Sequence, residues 1–156
     1  MSQNHIRKKI YIASDHAGFD LKKYLIENLG KKISSKTSQE HNIEIIDLGC
    51  DSSKISVDYP DFANKLCPNI TDDTMGILIC GSGIGISISA NRHKNVRAAL
   101  CHNKTTAKLA RSHNDANVIC LGARLTKPKL ALNICKTFFL QKFEGNRHIQ
   151  RVEKLG

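Results

Sequence analysis

The chain of 156 residues is 40% hydrophobic and 24% charged, which excludes a disordered protein and predicts a single globular domain over residues 1–156. Its net charge is +10, but the basic residues are dispersed and only 5% of residues are aromatic, so we expect no nucleic-acid partner. No apolar stretch approaches the roughly 18 residues of a membrane span and the six cysteines form no C-x-x-C pair, so we expect a reduced, cytoplasmic protein without a membrane partner.

Short apolar runs alternate along the chain with segments that carry apolar residues at helical spacing. This alternation is typical of βαβ units and predicts an α/β fold with a mainly parallel sheet. The predicted strands are residues 9–14, 43–48, 75–80, 96–101 and 117–121. The predicted helices are residues 20–29, 62–68, 84–93, 104–112 and 129–143, with a last helix beginning near Asn146. The polar segment 31–42 is predicted to be a surface loop.

Polar and glycine-rich sequences follow the predicted strands. They are SDHAG at 14–18, DLGCDSS at 47–53, CGSGIG at 80–85, CHNKTT at 101–106 and LGAR at 121–124. Right-handed crossovers place the carboxyl ends of parallel strands on one edge of the sheet, where ligands bind in such folds. The sequence therefore predicts a site at this edge.

Three glycines at alternate positions, Gly81, Gly83 and Gly85, precede a predicted helix. A dinucleotide-binding loop needs G-x-G-x-x-G after the first strand and an acidic residue about 20 positions later, and neither is present. No Gly-Lys-Ser/Thr follows, which also excludes a P-loop. Alternate glycines still let backbone N–H groups converge on a small anion, and the helix adds its positive end.

Cys80 directly precedes these glycines. The positive end of the helix would favour its thiolate form, which could accept a C–H proton while the N–H groups stabilise the resulting oxyanion. The alternative is an ordinary core thiol, which is how most buried cysteines behave. The spacing alone leaves both interpretations open.

Three further groups of residues suggest chemistry, and each has a plain structural alternative. Asp15-His16 follows the first strand, where such a pair can also cap a helix. His113 lies in the sequence SHNDAN, which is also typical of a polar turn. Arg147 and Arg151 are four apart, so one helix face could hold a phosphate between them or merely be a solvated basic surface.

The motifs SDHAGFDLK, DYPDFA, GILICGSGIGISISANR, RAALC, SHNDANV and GNRHIQRV occur in this order between about Lys9 and Val152. In this combination the chain resembles the type B ribose-5-phosphate isomerases and their galactose-6-phosphate and allose-6-phosphate isomerase relatives. The resemblance implies a Rossmann-like three-layer α/β/α sandwich with a five-stranded parallel sheet. It also implies a homodimer, often paired into a tetramer, with sites between subunits and with neither metal nor organic cofactor.

The resemblance further implies aldose–ketose isomerisation of a sugar phosphate through an enediolate. Cys80 matches the residue that transfers the proton, and His113 matches the donor in ring opening. The positions that match substrate-binding residues are Asp15, His16, Tyr59, Gly81, Ser82, Gly83, Ile84, Gly85, Asn114, Arg124, Arg147 and Arg151. Because Cys80, His113 and the arginines occur together, we expect interconversion of ribose 5-phosphate and ribulose 5-phosphate in the pentose phosphate pathway. Allose 6-phosphate or galactose 6-phosphate isomerisation, or a non-catalytic module that binds a sugar phosphate or nucleic acid, remain alternatives.

Overall fold

A single parallel sheet forms the centre of the computed structural model, which describes residues 9–34 and 43–156. Its strands are β1 (Lys9–Ser14), β2 (Glu44–Asp47), β3 (Thr74–Cys80), β4 (Ala98–Leu100) and β5 (Val118–Gly122). They lie in the order β2-β1-β3-β5-β4, and every neighbouring pair is parallel. The chain thus winds outward in opposite directions from β1 and β3, and the crevice at their carboxyl ends is the usual ligand position in such sheets.

Helices cover both faces of the sheet. They are α1 (Phe19–Ser34), α2 (Tyr59–Leu66), α3 (Ile84–Ala90), α4 (Lys104–Asn114), α5 (Pro128–Leu140) and α6 (Ile149–Glu153). Single 3₁₀ turns at His16–Gly18, Cys67–Asn69 and Asn146–His148 precede or follow them. α5 packs against α1 and α4 on one face, and α2 packs against α3 on the other. The predicted three-layer α/β/α sandwich with five parallel strands is confirmed.

The core divides into two layers because successive strand side chains point to opposite faces. On β3, Ile77 and Ile79 contribute to the core under α1, α4 and α5, whereas Leu78 and Cys80 contribute to the core under α2 and α3. All seven residues of β3 are buried. The strand therefore reads as a continuous apolar run rather than an alternating one, as expected for a central parallel strand.

The boundaries of α1 differ from the prediction. The helix continues to Ser34, so the beginning of the predicted 31–42 loop is helical. Leu25, Leu29 and Ile33 are fully buried and four residues apart, which extends the apolar stripe of the helix by one turn. The remainder of the predicted loop, residues 35–42, lies outside the described residues. Within the described ranges, no helix is both long enough and apolar enough to cross a bilayer.

Candidate active site

Cys80 is the last residue of β3 and lies beside the crevice between β1 and β3. The residue is 4% exposed, and its Sγ accepts a hydrogen bond from the backbone N–H of Gly83 at 3.1 Å. The bond folds the glycine loop back over the end of its own strand. Cys80 is thus part of the core and also directly bonded to the loop, which combines features of the two interpretations that the spacing left open.

Gly83 has the backbone conformation that makes this contact possible. Its φ is +78°, in the left-handed region that favours glycine. A Cβ at this position would lie 2.6 Å from Leu100 Cδ1 and 2.8 Å from the carbonyl carbon of Leu121. Any side chain here would force the loop away from the sheet, and the N–H would no longer reach the sulfur.

Two large side chains lie directly over the other glycines of the loop. A Cβ on Gly81 would lie 3.0 Å from Arg124 Nη1, and the Arg124 backbone N–H donates to the Gly81 carbonyl at 3.0 Å. A Cβ on Gly85 would lie 2.5 Å from Tyr59 Cζ. The predicted binding residues Arg124 and Tyr59 therefore do lie at the loop, and the glycines provide the space that they occupy.

The remaining loop positions begin helix α3. The Ser82 hydroxyl accepts a hydrogen bond from the Ile84 N–H at 3.2 Å, which caps the first turn from outside the helix. The other N–H groups of a first helical turn have no helical carbonyl within reach. Ile84 itself is 52% exposed, so its side chain points away from the core.

Four of the other cysteines are core thiols. Burial raises the pKa of Cys67 to about 12 and that of Cys101 to about 11. Burial, with the neighbouring cysteines as a smaller cause, also raises the pKa of Cys120 and Cys135. These thiols stay protonated at neutral pH and behave as small hydrophobic side chains. The loop N–H bonded to its sulfur is what distinguishes Cys80 from them.

Asp15 and His16 follow β1 at the same edge of the sheet, since Ser14 pairs with Ile79. Asp15 is 6% exposed, and its Oδ1 accepts from the Gly18 N–H at 3.1 Å, so the capping alternative is correct for this carboxylate. The Nδ1 of His16 accepts from the backbone N–H of Val57 at 3.1 Å. Both predicted residues therefore lie beside Cys80 at the carboxyl edge.

His113 and Asn114 lie at the opposite edge of the sheet. They end α4, which runs antiparallel to the strands, and β5 begins four residues later at Val118. Val118 pairs with Gly76 and Gly122 pairs with Cys80. Four residues of strand separate the two edges by about 13 Å, because a strand rises about 3.3 Å per residue. Within one chain, the His113 side chain is therefore too far from Cys80 to share a site with it.

His113 belongs to a cluster with residues that follow α5. Its ring stacks on that of His148, with centroids 4.3 Å apart and planes 13° apart. The Oε2 of Glu144 lies 3.8 Å from His113 Nε2 and 4.0 Å from His148 Nε2. Burial, together with His113, Arg147 and Arg151, lowers the pKa of His148, while Glu144 opposes the shift.

The donor atoms of His113, Glu144 and His148 lie within 4.8 Å of one another, the one group of metal-ligand type among the described residues. Arg147 and Arg151 add positive charge beside the stacked rings, and Glu144 adds a negative charge. The cluster is therefore a group of mixed charge at the edge of the sheet that carries these two arginines.

The two arginines lie in two adjoining helical elements. Arg147 lies in the 3₁₀ turn Asn146–His148, and Arg151 lies in α6, which begins only at Ile149. Positive φ angles at Gly145 and Asn146 turn the chain before the helix starts. Both arginines are exposed at the edge that carries His113.

Sequence reasoning did not select Glu144, His148 or the backbone of Val57. The histidine stands beside Arg147 in the motif GNRHIQRV, so proximity to a predicted phosphate ligand could have marked it. The Val57 contact has no such signal, because a backbone N–H belongs to almost every residue type.

Comparison with known proteins found relatives that are similar over nearly the whole chain. The model of the family described as Ribose/Galactose Isomerase matches residues 10–155. The ribose-5-phosphate isomerase B of Escherichia coli is 39% identical over 150 residues, covering 95% of this chain and 94% of that protein. A Rickettsia bellii relative, named only as a sugar phosphate isomerase, is 45% identical and covers 94% of this chain and 96% of its own. The structure of ribose 5-phosphate isomerase B from Anaplasma phagocytophilum aligns with a TM-score of 0.85 at 44% identity, covering 97% of this chain and 98% of that one.

Proposed function

Because this chain belongs to the ribose/galactose isomerase family, we propose that it interconverts ribose 5-phosphate and ribulose 5-phosphate, with Cys80 as the proton-transferring group. The observation that carries the proposal is the hydrogen bond from the Gly83 N–H to the Cys80 sulfur. An N–H donor stabilises a thiolate more than a thiol, and the thiolate is the form that accepts a proton. The pentose phosphate pathway is the metabolic setting that we propose for this reaction.

In the proposed mechanism, the Cys80 thiolate removes the proton from C2 of the open-chain aldose and returns it to C1. The electron pair of the C2–H bond forms the C1–C2 double bond of the enediolate as the carbonyl oxygen O1 takes up negative charge. The proton of the C2 hydroxyl then moves to O1, the C2 carbonyl forms, and the electron pair of the double bond takes the proton from Cys80 at C1. Loop N–H groups between Gly81 and Gly85 other than those of Gly83 and Ile84 stabilise the negative charge on O1, and Arg124 adds positive charge beside them. Proton movement between adjacent carbons needs no redox group, so we propose a reaction without a cofactor.

The site requires a second subunit. Within one chain, Cys80 and His113 lie at opposite edges of the sheet, about 13 Å apart along the strands. A two-fold dimer presents the same patch of both chains to each other, and it can therefore place one edge of each sheet against the opposite edge of its partner. We propose a homodimer with two equivalent sites, and the site geometry requires no tetramer.

Helix α3 provides a surface that suits this dimer. Ile84 and Ile88 are 52% and 58% exposed, and the helix sequence IGISISA contains no charged residue. Contiguous exposed aliphatic side chains beside a functional loop are typical of a subunit interface. Because α3 begins in the glycine loop, an interface along it brings the partner close to Cys80.

The partner supplies the polar end of the proposed site. His113 of the partner subunit donates the proton that opens the sugar ring, and Asn114 of the partner subunit contacts the sugar. The guanidinium groups of the partner's Arg147 and the partner's Arg151 bind the phosphate. The positive charges of this edge, which add to the effect of burial in lowering the pKa of His148, favour a dianionic ligand.

The substrate is tested by offering ribose 5-phosphate, allose 6-phosphate and galactose 6-phosphate to the purified protein in parallel assays. We expect kcat/KM for ribose 5-phosphate to exceed both others by at least about tenfold, since a six-carbon sugar must fit one more CHOH unit in the same site. A preference for either hexose phosphate would overturn the five-carbon assignment. Salt-dependent nucleic-acid binding without turnover on any sugar would instead favour the non-catalytic module.

Arg147→Ala tests the proposed phosphate contact. Loss of hydrogen bonds to a charged group costs about 1.5–3 kcal/mol, so we expect KM for ribose 5-phosphate to rise roughly tenfold or more while kcat changes little. Lys129→Ala on α5 removes the same charge from an exposed position away from the site and should leave KM unchanged. A fall in kcat at constant KM would contradict the phosphate role of Arg147.

The cysteines are consistent with the cytoplasmic location that we propose. All six are described, unpaired and buried. Free thiols persist in a reducing compartment, whereas an oxidising one favours disulfides.

A further inference from the structure

His16 is held by a backbone group from a distant segment. Its Nδ1 accepts the Val57 N–H at 3.1 Å, across 41 positions of sequence. The opposite ring orientation would place a C–H group against the donor, so the contact selects one orientation of the ring. A nitrogen that accepts carries no hydrogen, and the ring hydrogen is therefore on Nε2.

The segment that carries Val57 is anchored at its other end by a buried lysine. Lys22 is 2% exposed, and its Nζ donates to Asp47 Oδ1 at 2.8 Å, to Asp47 Oδ2 at 2.6 Å and to the Cys50 carbonyl at 2.9 Å. The Gly49 N–H also donates to Asp47 Oδ1 at 2.8 Å. A Cβ on Gly49 would lie 2.7 Å from Lys22 Cδ, so the lysine stem packs directly against this turn.

The two anchors come from one βα unit. His16 lies in the 3₁₀ turn after β1, and Lys22 lies in the first turns of α1. Between them they hold both ends of the segment from Leu48 to Val57. The segment then enters α2, whose Tyr59 covers Gly85 of the glycine loop. It therefore connects His16 with the loop that binds Cys80.

We propose that His16 contacts the substrate as a hydrogen-bond donor through Nε2–H, not as a proton acceptor, and that the Val57 N–H and Lys22 are the groups that position it. This role rests on the proposed isomerase function, because it places a sugar oxygen at Nε2. Among the described residues none is hydrogen-bonded to that nitrogen, whereas Nδ1 is already occupied by Val57. The arrangement leaves proton transfer at carbon to Cys80.

The state of the ring is measured directly by nitrogen NMR of the ¹⁵N-labelled full-length protein at neutral pH. We expect His16 to show the Nε2–H tautomer without substrate, so this result does not depend on which sugar the enzyme uses. A His16 ring with its hydrogen on Nδ1 would overturn the proposal even if the protein isomerises ribose 5-phosphate. If the protein shows the expected tautomer but isomerises none of the sugar phosphates tested, the result would count against the proposed function alone.

The role of the Val57 backbone is tested by a matched pair of variants. Val57→Pro removes the N–H, whereas Val57→Ala retains it. We expect Val57→Pro to change the His16 nitrogen shifts toward a mixture of tautomers and to raise KM about three- to tenfold, the value of one hydrogen bond, with kcat retained. Val57→Ala should keep the wild-type nitrogen shifts. Unchanged shifts in a folded Val57→Pro protein would exclude a positioning role for this N–H.

The role of Lys22 in holding the contact between Val57 and His16 is tested by the double variant Lys22→Met with Asp47→Asn. It removes both charges of the pair together, because removing the Asp47 charge alone would leave the buried Lys22 ammonium without its counter-ion. The asparagine side chain in this variant keeps an Oδ1 acceptor for the Gly49 N–H. We expect the same change in the His16 shifts and the same rise in KM, and unchanged values would exclude the anchor role of Lys22.

Donor and acceptor roles at His16 are separated by His16→Gln and His16→Ala. Glutamine can donate from its Nε2 but cannot act as a base near neutral pH. We expect His16→Gln to keep kcat within about tenfold of wild type, since loss of a general base would cost about 10²–10⁴-fold. Equal losses of more than about 100-fold in both variants would show that His16 transfers a proton and would refute the donor role.

Discussion

Replacing Cys80 with alanine is expected to lower kcat by about 10²–10⁴-fold and leave substrate binding close to wild type. The thiol is the group that we propose to move the proton between C2 and C1, so its removal takes away the base of the reaction. Binding should persist because the phosphate and sugar contacts come from other residues. Turnover and calorimetric binding of ribose 5-phosphate measure the two quantities separately.

Cys101→Ala is the matched control for this prediction. Cys101 follows β4 at the same edge of the sheet, is 1% exposed and has a pKa raised to about 11 by burial. Its thiol is a packing group, so we expect unchanged kcat. A Cys80→Ala enzyme with normal turnover, or a Cys101→Ala enzyme as inactive as Cys80→Ala, would show that the assignment of the reactive sulfur is wrong.

Mixing Cys80→Ala subunits with His113→Asn subunits is expected to restore activity that neither variant has alone. In the proposed dimer, a mixed pair contains one complete site, made from the Cys80 of one chain and the His113 of the other. It also contains one site that lacks both groups. Random exchange of equal amounts gives half mixed dimers, so we expect about one quarter of wild-type activity from parents that each retain roughly 1% or less.

The control for this experiment is a mixture of Cys80→Ala subunits with subunits that carry both substitutions. Such a mixture cannot assemble a complete site and should stay inactive. Size-exclusion chromatography establishes that the chains are paired in each sample. If Cys80 and His113 acted within one chain, each mixed site would lack one of them, and no recovery of activity would be seen.

The strands were predictable because short apolar runs indicate buried strands, and because their alternation with helical segments indicates a parallel sheet. The predicted limits of β1 agree with the structure, and β3 differs by one residue. β3 lies at the centre of the sheet, so both faces are apolar and the segment stands out from its polar neighbours. The glycine at position 83 suits its place in the structure, because its φ angle lies in the left-handed region and a side chain would meet Leu121.

Helix limits were less predictable. α1 continues to Ser34 because Ile33 finds an apolar partner surface, which local sequence does not reveal in a segment rich in lysine and serine. The last helical segment begins at Asn146 as predicted, but as a 3₁₀ turn that becomes α-helical only at Ile149.

The family could be identified from the motifs that carry the resemblance, and the succession of strands and helices along the chain from apolar periodicity. Motifs and periodicity are both local properties of the chain. Two arrangements became visible only in the folded chain. Cys80 and His113 lie at opposite edges of the sheet, and the Val57 N–H donates to a histidine 41 residues away. These arrangements depend on strand length, on helix direction and on where a backbone N–H points, and none of these is specified by the identity of the residues involved.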